Sequence, residues 1–159
     1  MSKFLNINLG FISILIIFYP FALLTGPFIS DTFVVLVSLL FISRILITKD
    51  FNFINKNYNI FFLTLFTYLI FCSLISTNTF LSLESSLFYF RHWLFCLGFA
   101  YCIIQNTKIL KYFFISIILM IVLLIFDSYL QFFTGTNIMN YKYDGFRLSS
   151  FFGDELILG

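Results

Sequence analysis

The stretch YFFISIILMIVLLIFDSYLQFF, residues 112–133, is apolar almost throughout and carries one charged residue, Asp127. A helix needs about 20 apolar residues to cross the hydrocarbon core of a bilayer, and this stretch has that size. In a strand of a membrane barrel, apolar residues alternate with polar ones. Here the apolar residues are continuous. The sequence therefore predicts a transmembrane helix here.

Four further apolar runs precede this stretch. They cover about 9–24, 32–47, 58–75 and 86–104. We therefore predict an all-α fold, a polytopic transmembrane helical bundle with five spans plus the start of a sixth at 151–159. The whole chain, 1–159, is expected to form a single membrane domain. Gly26-Pro27 separates the first two runs, so we predict a tight helical hairpin with its turn at 25–31.

The composition supports a membrane protein and excludes several classes. Of the 159 residues, 61% are hydrophobic, 23% aromatic and only 10% charged, whereas soluble domains carry about 25% charged residues. Soluble enzymes, disordered chains and disulfide-linked secreted domains are therefore excluded. A net charge of +2 with scattered basic residues predicts no nucleic-acid partner. Cys72, Cys96 and Cys102 lie in apolar runs and are interpreted as small hydrophobic residues.

Lysine and arginine are distributed unevenly between the two sides that five spans define. One side carries Lys3, Arg44, Lys49, Lys56, Lys108 and Lys111, and the other carries Arg91, Lys142 and Arg147. Cytoplasmic loops are enriched in these residues. We therefore predict a multi-pass protein of the plasma membrane with a cytoplasmic N-terminus and an external segment at 134–150.

Charged residues within spans are costly and point to function. Arg91 and His92 lie about one and a half turns into the fourth span from its outer end, and Asp127 lies about as deep in the fifth. Gln131 follows Asp127 by one turn and shares its face. Spans four and five are antiparallel neighbours, so Arg91 and Asp127 can form a pair at similar depth.

Arg91, His92 and Asp127 each allow two interpretations. Arg91 is either an anchor that reaches the head groups or a cation that binds a phosphate-bearing lipid. His92 is either structural at the interface or a general base. Asp127 is either an ion-pair partner that positions a helix or a contact of the substrate.

Arg147 is the notable residue of the external segment. It precedes Ser149 and Ser150, either of which can cap the next helix, and Asp154 and Glu155 suit the first turn of that helix. An arginine beside a helix N-terminus can bind an anionic oxygen from two directions. An ordinary loop cation attracted to lipid phosphates is the alternative.

Three patches carry a resemblance to a known family. They are the broken hairpin at 20–31, SSLFYFR at 85–91, and Asp127 to Gln131 with Gly135 followed by FRLSSFFGDELILG at 146–159. The third is the specific one, with an aspartate-x-x-x-glutamine helix end, a glycine, and an arginine ahead of a small residue, a phenylalanine and a glycine-containing helix start. In these features the chain resembles the N-terminal half of the O-antigen polymerase and O-antigen ligase family.

The resemblance implies a many-helix glycosyltransferase of the bacterial inner membrane that acts in surface polysaccharide (lipopolysaccharide O-antigen) biosynthesis. It implies that undecaprenyl-diphosphate-linked glycan is the partner, bound on the periplasmic side together with membrane lipid, with no cofactor and no metal. Arg91 and Arg147 match cations that would hold the lipid diphosphate. Asp127, Gln131 and His92 would support them. Polymerase and ligase are not separated by this sequence.

The sequence stops at Gly159 as a new apolar run begins, so we expect the N-terminal fragment of a longer protein, with a complete five-span chain as the alternative. The resemblance implies that the catalytic base lies beyond residue 159. The catalytic residues are therefore unknown, and the chain is not expected to be active alone.

Two other functions stay open. A transporter or flippase would favour charges and helix breaks near the middle of the membrane, whereas the charges here cluster in the outer third. A non-catalytic membrane subunit would favour helix faces rich in small residues, whereas Gly98 and Ala100 are isolated.

Overall fold

A computed structural model describes residues 2–49, 57–143, 145 and 148–152, with backbone only for 2–6 and 57–58. The described chain is helical. Its helices are α1 (Ser2–Leu24), α2 (Pro27–Thr48), α3 (Asn57–Ile75), α4 (Thr79–Phe88), α5 (Phe90–Gln105) and α6 (Lys108–Thr134), followed by a short 3₁₀ turn at Ser150–Phe152. The predicted all-α class is therefore confirmed.

Among the described residues, four helical stretches are long and apolar enough to cross a membrane by length and composition. They are Ile7–Leu24, Pro27–Thr48, Thr79–Gln105 and Lys108–Thr134. The third predicted span corresponds to a shorter apolar helix, Asn59–Ile75. These helices are compatible with a multi-pass membrane protein. Five spans plus a sixth stays a prediction, and most of the sixth, 153–159, lies outside the described residues.

The turn of the first hairpin is shorter than predicted. Only Thr25 and Gly26 separate α1 from α2, so the predicted extent of 25–31 is wrong. Pro27 is the first residue of α2, where its fixed φ suits the helix and its missing N–H costs no hydrogen bond. Gly26 reverses the chain with a φ of +101°, a conformation that residues with a side chain rarely adopt.

The fourth predicted span, at 86–104, consists of two helices with a break at Tyr89. The Tyr89 N–H bonds to the Ser86 carbonyl at 3.2 Å, and the His92 N–H bonds to the Tyr89 carbonyl at 3.1 Å. Bonds that reach back three residues tighten the helix locally. The break places Arg91 in the first turn of α5.

The chain forms two compact units. The first unit comprises Met1–Ser13 and Val34–Asn106, and the second comprises Ile14–Phe33 and Thr107–Gly159. Because the boundaries fall within α1 and α2, each unit combines one part of the N-terminal hairpin with later helices.

The core of the first unit joins α2, α3 and α5. Its buried members are Phe41, Ile45, Trp93 and Leu97. The Trp93 ring stacks on Phe62 of α3 at 5.1 Å, and its indole N–H donates to the Asn59 side-chain oxygen at 3.1 Å. Gly98 allows α2 to approach, because a Cβ there would lie 3.2 Å from Val37 Cγ1.

In the second unit, α6 is tied to α1 beside a proline. Pro20 lies within α1, and its missing N–H deprives the Ile16 carbonyl of its helical donor. The carbonyl of the neighbouring Ile17 accepts a hydrogen bond from the Ser116 hydroxyl of α6. This bond fixes the side of α6 that faces α1.

Candidate functional site

Asp127 lies inside α6 and is fully buried. One carboxylate oxygen, Oδ1, accepts a hydrogen bond from the Ile138 N–H at 2.9 Å. The other, Oδ2, accepts one from the Ser150 hydroxyl at 2.6 Å. Both donors come from the segment that follows α6, so the carboxylate holds that segment against the end of its own helix.

Gln131 lies one turn further along α6 and is also fully buried. Its Oε1 accepts hydrogen bonds from the backbone N–H groups of Ser149 and Ser150 at 3.1 and 2.9 Å. Its amide nitrogen donates to the Ser149 hydroxyl at 2.9 Å and to the Tyr141 carbonyl at 3.3 Å. A single side chain thus links two separate parts of the external segment.

The segment between them is a compact loop. Gly135 ends α6 in the left-handed conformation, with a φ of +78°, as is common after a helix. Thr136 and Lys142 then form an antiparallel bridge. The buried Asn137 side chain accepts from the Tyr141 N–H at 2.7 Å and donates to the Ser150 carbonyl. The loop therefore folds back over the end of α6.

We call Asp127, Gln131, Asn137, Ser149 and Ser150 the polar lock. All five are buried, and buried polar groups are costly unless they are hydrogen-bonded. Ser150 has a φ of +46°, which is strained for a residue with a side chain. Its N–H, carbonyl and hydroxyl all bond within the lock, which holds it in that conformation.

The lock brings together two of the predicted site residues, Asp127 and Gln131. Arg147 lies outside the described residues, as do Asp154 and Glu155. The expected pairing of Asp127 with Arg91 stays a prediction, because these two residues belong to different units. Within its own unit, Asp127 bonds to two neutral donors, the Ile138 N–H and the Ser150 hydroxyl.

The two serines expected to cap a helix have different roles. The Ser149 carbonyl accepts from the Phe152 N–H at 3.0 Å and opens a short 3₁₀ turn. Both hydroxyls bond to the lock, that of Ser149 to Gln131 and that of Ser150 to Asp127. The helix predicted to follow lies outside the described residues.

Arg91 and His92 line a cleft in the first unit. This Arg91 cleft has a volume of about 410 Å³, and its other lining residues are Glu84, Ser85, Phe88 and Tyr89. The backbone carbonyl of Arg91 accepts from the Ser38 hydroxyl at 2.9 Å, which ties the start of α5 to α2. His92 packs on the ring of Tyr89 with centroids 5.2 Å apart. The cleft thus presents a cation and an imidazole beside the helix break.

Arg44, one of the basic residues on the predicted cytoplasmic side, lies inside α2 and is buried. Its Nε–H donates to the Tyr101 hydroxyl at 2.9 Å, and its guanidinium lies 5.2 Å from the Tyr101 ring centre. The long sequence separation of the two residues leaves no local signal for this pair.

Within the part of the chain that the structure describes, no three His, Cys, Asp or Glu side chains are grouped so that they could hold a metal ion. Comparisons with known proteins found no matching family, no matching curated protein and no matching solved structure. The functional conclusion therefore rests on the residues and their geometry.

Proposed function

We propose that the chain is part of an inner-membrane glycosyltransferase of the O-antigen polymerase or ligase type. It would handle undecaprenyl-diphosphate-linked glycan on the periplasmic side, in the synthesis of surface polysaccharide. The observation that carries the proposal is the polar lock. It holds Ser149 and Ser150 against the buried face of α6, and Ser149 follows Arg147 by two positions in the chain.

The chemistry of a lipid diphosphate explains why such a lock is useful. When the glycosidic bond breaks, the diphosphate leaves with its charge, and a cation nearby offsets that charge. A cation on an unrestrained loop would spend part of its binding energy on becoming ordered. Asp127 and Gln131 are therefore positioning residues in this proposal, and Arg147 is the residue that touches the diphosphate.

Arg91 supports the same chemistry in the first unit. It is half-buried and lines a cleft, where partial loss of water strengthens its attraction to a phosphate oxygen. His92 lines the same cleft and supports Arg91. No cofactor and no metal take part in the proposed binding.

One observation favours a second candidate, a flippase for the same lipid-linked sugar. Transporters often carry broken helices at their substrate sites, and the long apolar stretch Thr79–Gln105 is broken at Tyr89, next to Arg91. The two functions differ in where lipid-linked glycan accumulates when the gene is deleted. A flippase mutant retains it at the cytoplasmic face, whereas a polymerase or ligase mutant accumulates it at the periplasmic face.

The proposal is tested by replacing Arg147 in the chromosomal gene and separating the surface glycan on gels. Arg147→Ala should abolish the long glycan, and Arg147→Lys should restore it only in part, because lysine cannot bind two oxygens in a fork. Lys142→Ala removes another cation of the same loop and serves as the matched control, with normal glycan expected. A normal glycan pattern in Arg147→Ala, at unchanged protein abundance in the membrane, would overturn the proposal.

A further inference from the structure

A hydroxyl-lined cleft lies where α3 turns into α4, in the first unit, and the proposed function does not use it. Its volume is about 530 Å³. The residues that matter here are Ser73, Ser76, Ser82, Ser85, Ser86 and Tyr89. We call it the serine cleft. Such a concentration of hydroxyl groups is unusual in a chain that is 61% hydrophobic.

Four of the serine hydroxyls, those of Ser73, Ser82, Ser85 and Ser86, donate their protons to acceptors within the protein. Ser85 and Ser86 donate to backbone carbonyls of their own helix, each at 3.0 Å. The Ser73 hydroxyl lies 2.8 Å from the Leu69 carbonyl oxygen and 3.1 Å from that of Ser82, which share its one proton. A serine hydroxyl has one proton and two lone pairs, so these groups offer mainly acceptor oxygens to the cleft. A ligand with many hydroxyl or amide donors would complement them.

The arrangement of α4 directs these oxygens to one side. Ser82, Ser85 and Ser86 stand at positions i, i+3 and i+4 and therefore share a face. Other faces of the helix carry apolar residues such as Phe80, which is 81% exposed, and Leu87. In a bilayer the apolar faces suit contact with lipid, and the serine face suits a polar ligand.

The serine cleft adjoins the Arg91 cleft. Ser85 and Tyr89 line both. Tyr89 is about half exposed, and its ring offers an apolar face of the kind on which a sugar ring packs. Tyr89 therefore belongs both to the cleft that carries the acceptor oxygens and to the cleft that carries the cation.

We infer that the two clefts together bind a sugar phosphate, with the sugar in the serine cleft and the phosphate on Arg91. The inference rests on the proposed function and deepens it, because the first sugar of a lipid-linked glycan is joined to a phosphate. Glu84 also lines the Arg91 cleft and is exposed. Its negative charge opposes phosphate binding, so Glu84→Gln should tighten the binding of sugar phosphates and leave that of neutral sugars unchanged.

The test uses the purified full chain in lipid nanodiscs and three kinds of soluble probe. The probes are the 1-phosphates of glucose, galactose and N-acetylglucosamine, the corresponding methyl glycosides, and inorganic phosphate. Binding is measured by saturation-transfer NMR and titration. At least one sugar 1-phosphate should bind about tenfold or more tighter than its methyl glycoside and than phosphate, because two linked groups bind cooperatively.

Variants separate the two halves of the site. Combined Ser82→Ala, Ser85→Ala and Ser86→Ala should abolish methyl glycoside binding and reduce the sugar phosphate to the affinity of phosphate. Arg91→Gln should leave methyl glycoside binding unchanged and reduce the affinity for the sugar phosphate to that for the methyl glycoside. The matched control combines Thr64→Ala and Thr67→Ala, which remove similar back-bonded hydroxyls of α3 away from the cleft, and binding should not change.

Two results would overturn the inference. One is that every sugar 1-phosphate binds no more tightly than inorganic phosphate, and the other is that the triple serine variant binds like the wild type. If the triple variant does not fold, Ser85→Phe replaces it, because a phenylalanine at this exposed position blocks the cleft. Wild-type binding of the sugar 1-phosphate by this variant would likewise overturn the inference. A parallel titration with undecaprenyl diphosphate tests the proposed function by itself. If undecaprenyl diphosphate binds in a manner that depends on Arg147 while the sugar 1-phosphates fail to bind as expected, only the present inference is overturned, and the proposed function stands.

Discussion

The polar lock and the serine cleft are both clusters of polar side chains in an apolar protein, but they use their hydrogen bonds differently. In the lock, Asp127, Gln131 and Ser150 are completely buried, and groups of the same unit bond to them. In the serine cleft, Ser85 and Tyr89 are exposed. The lock therefore serves folding, whereas the cleft keeps acceptor oxygens available for a ligand.

Substitutions in the two clusters should differ in how much they change the free energy of unfolding. A buried polar group that loses its partner costs about 1–3 kcal/mol, whereas a substitution at an exposed position usually changes stability by less than about 0.5 kcal/mol. Substitutions in the lock should therefore reduce stability, and substitutions at exposed positions of the cleft, such as Ser85, should reduce binding. Ser73 and Ser86 of the cleft are buried, so this distinction does not extend to them.

The largest effect is expected for Asp127→Ala. It removes the acceptor of both the Ile138 N–H and the Ser150 hydroxyl, so the free energy of unfolding should fall by about 2–4 kcal/mol. Chemical denaturation in mild detergent measures the change. Asp127→Asn is the matched control and should cost less, since its oxygen still accepts from Ile138 and the Ser150 hydroxyl can rotate to accept from its amide. Equal stability of Asp127→Ala and the wild type would contradict the lock.

A smaller effect is expected where the first unit depends on close packing. Gly98→Leu inserts a large side chain where even a Cβ would lie 3.2 Å from Val37 Cγ1 and 3.3 Å from Phe41 Cβ. Overpacking of this kind costs about 1–3 kcal/mol, and the same denaturation experiment measures it. Gly10→Leu is the control, because a Cβ at Gly10 meets nothing within 4 Å. If both leucine variants were equally stable, α2 and α5 would not be packed as described.

The smallest effect on stability is expected for Ser85→Ala. Among the described residues, the hydroxyl bonds only to the Leu81 carbonyl of its own helix, and alanine is a better helix former than serine. The free energy of unfolding should change by less than about 0.5 kcal/mol, while methyl glycoside binding weakens. A marked loss of stability would show that Ser85 stabilises the fold as the lock residues do, and would contradict the proposed difference between the lock and the cleft.

The all-α class was predictable because the apolar runs are continuous, whereas α4 lies mostly outside the predicted spans. The boundaries of the helices were less predictable. Pro27 was expected within a turn, yet its backbone suits the first position of α2. The break at Tyr89 follows neither a proline nor a glycine, so no local residue type announces it.

The candidate site was predictable only in part. The spacing of Asp127 and Gln131 places them on one face of a helix, so their proximity could be predicted. Their partners lie in a loop, and the participation of Asn137 depends on how that loop folds back on α6. The serine cleft was not predicted, because it forms only when α4 folds back beside the end of α3.

The affinity of the purified protein in nanodiscs for undecaprenyl diphosphate tests most directly whether the lock serves the binding of this lipid. We expect Arg147→Ala and Asp127→Ala each to weaken binding by about tenfold or more, because the first removes the cation and the second releases the segment that follows it. Ser85→Ala should bind this sugar-free lipid like the wild type. Wild-type affinity in a folded Asp127→Ala variant would contradict the proposal that the lock positions Arg147. If that variant does not fold, Asp127→Asn replaces it. Wild-type affinity would then contradict the proposal if the amides of Ser149 and Ser150 in folded Asp127→Asn have lost their protection from hydrogen exchange.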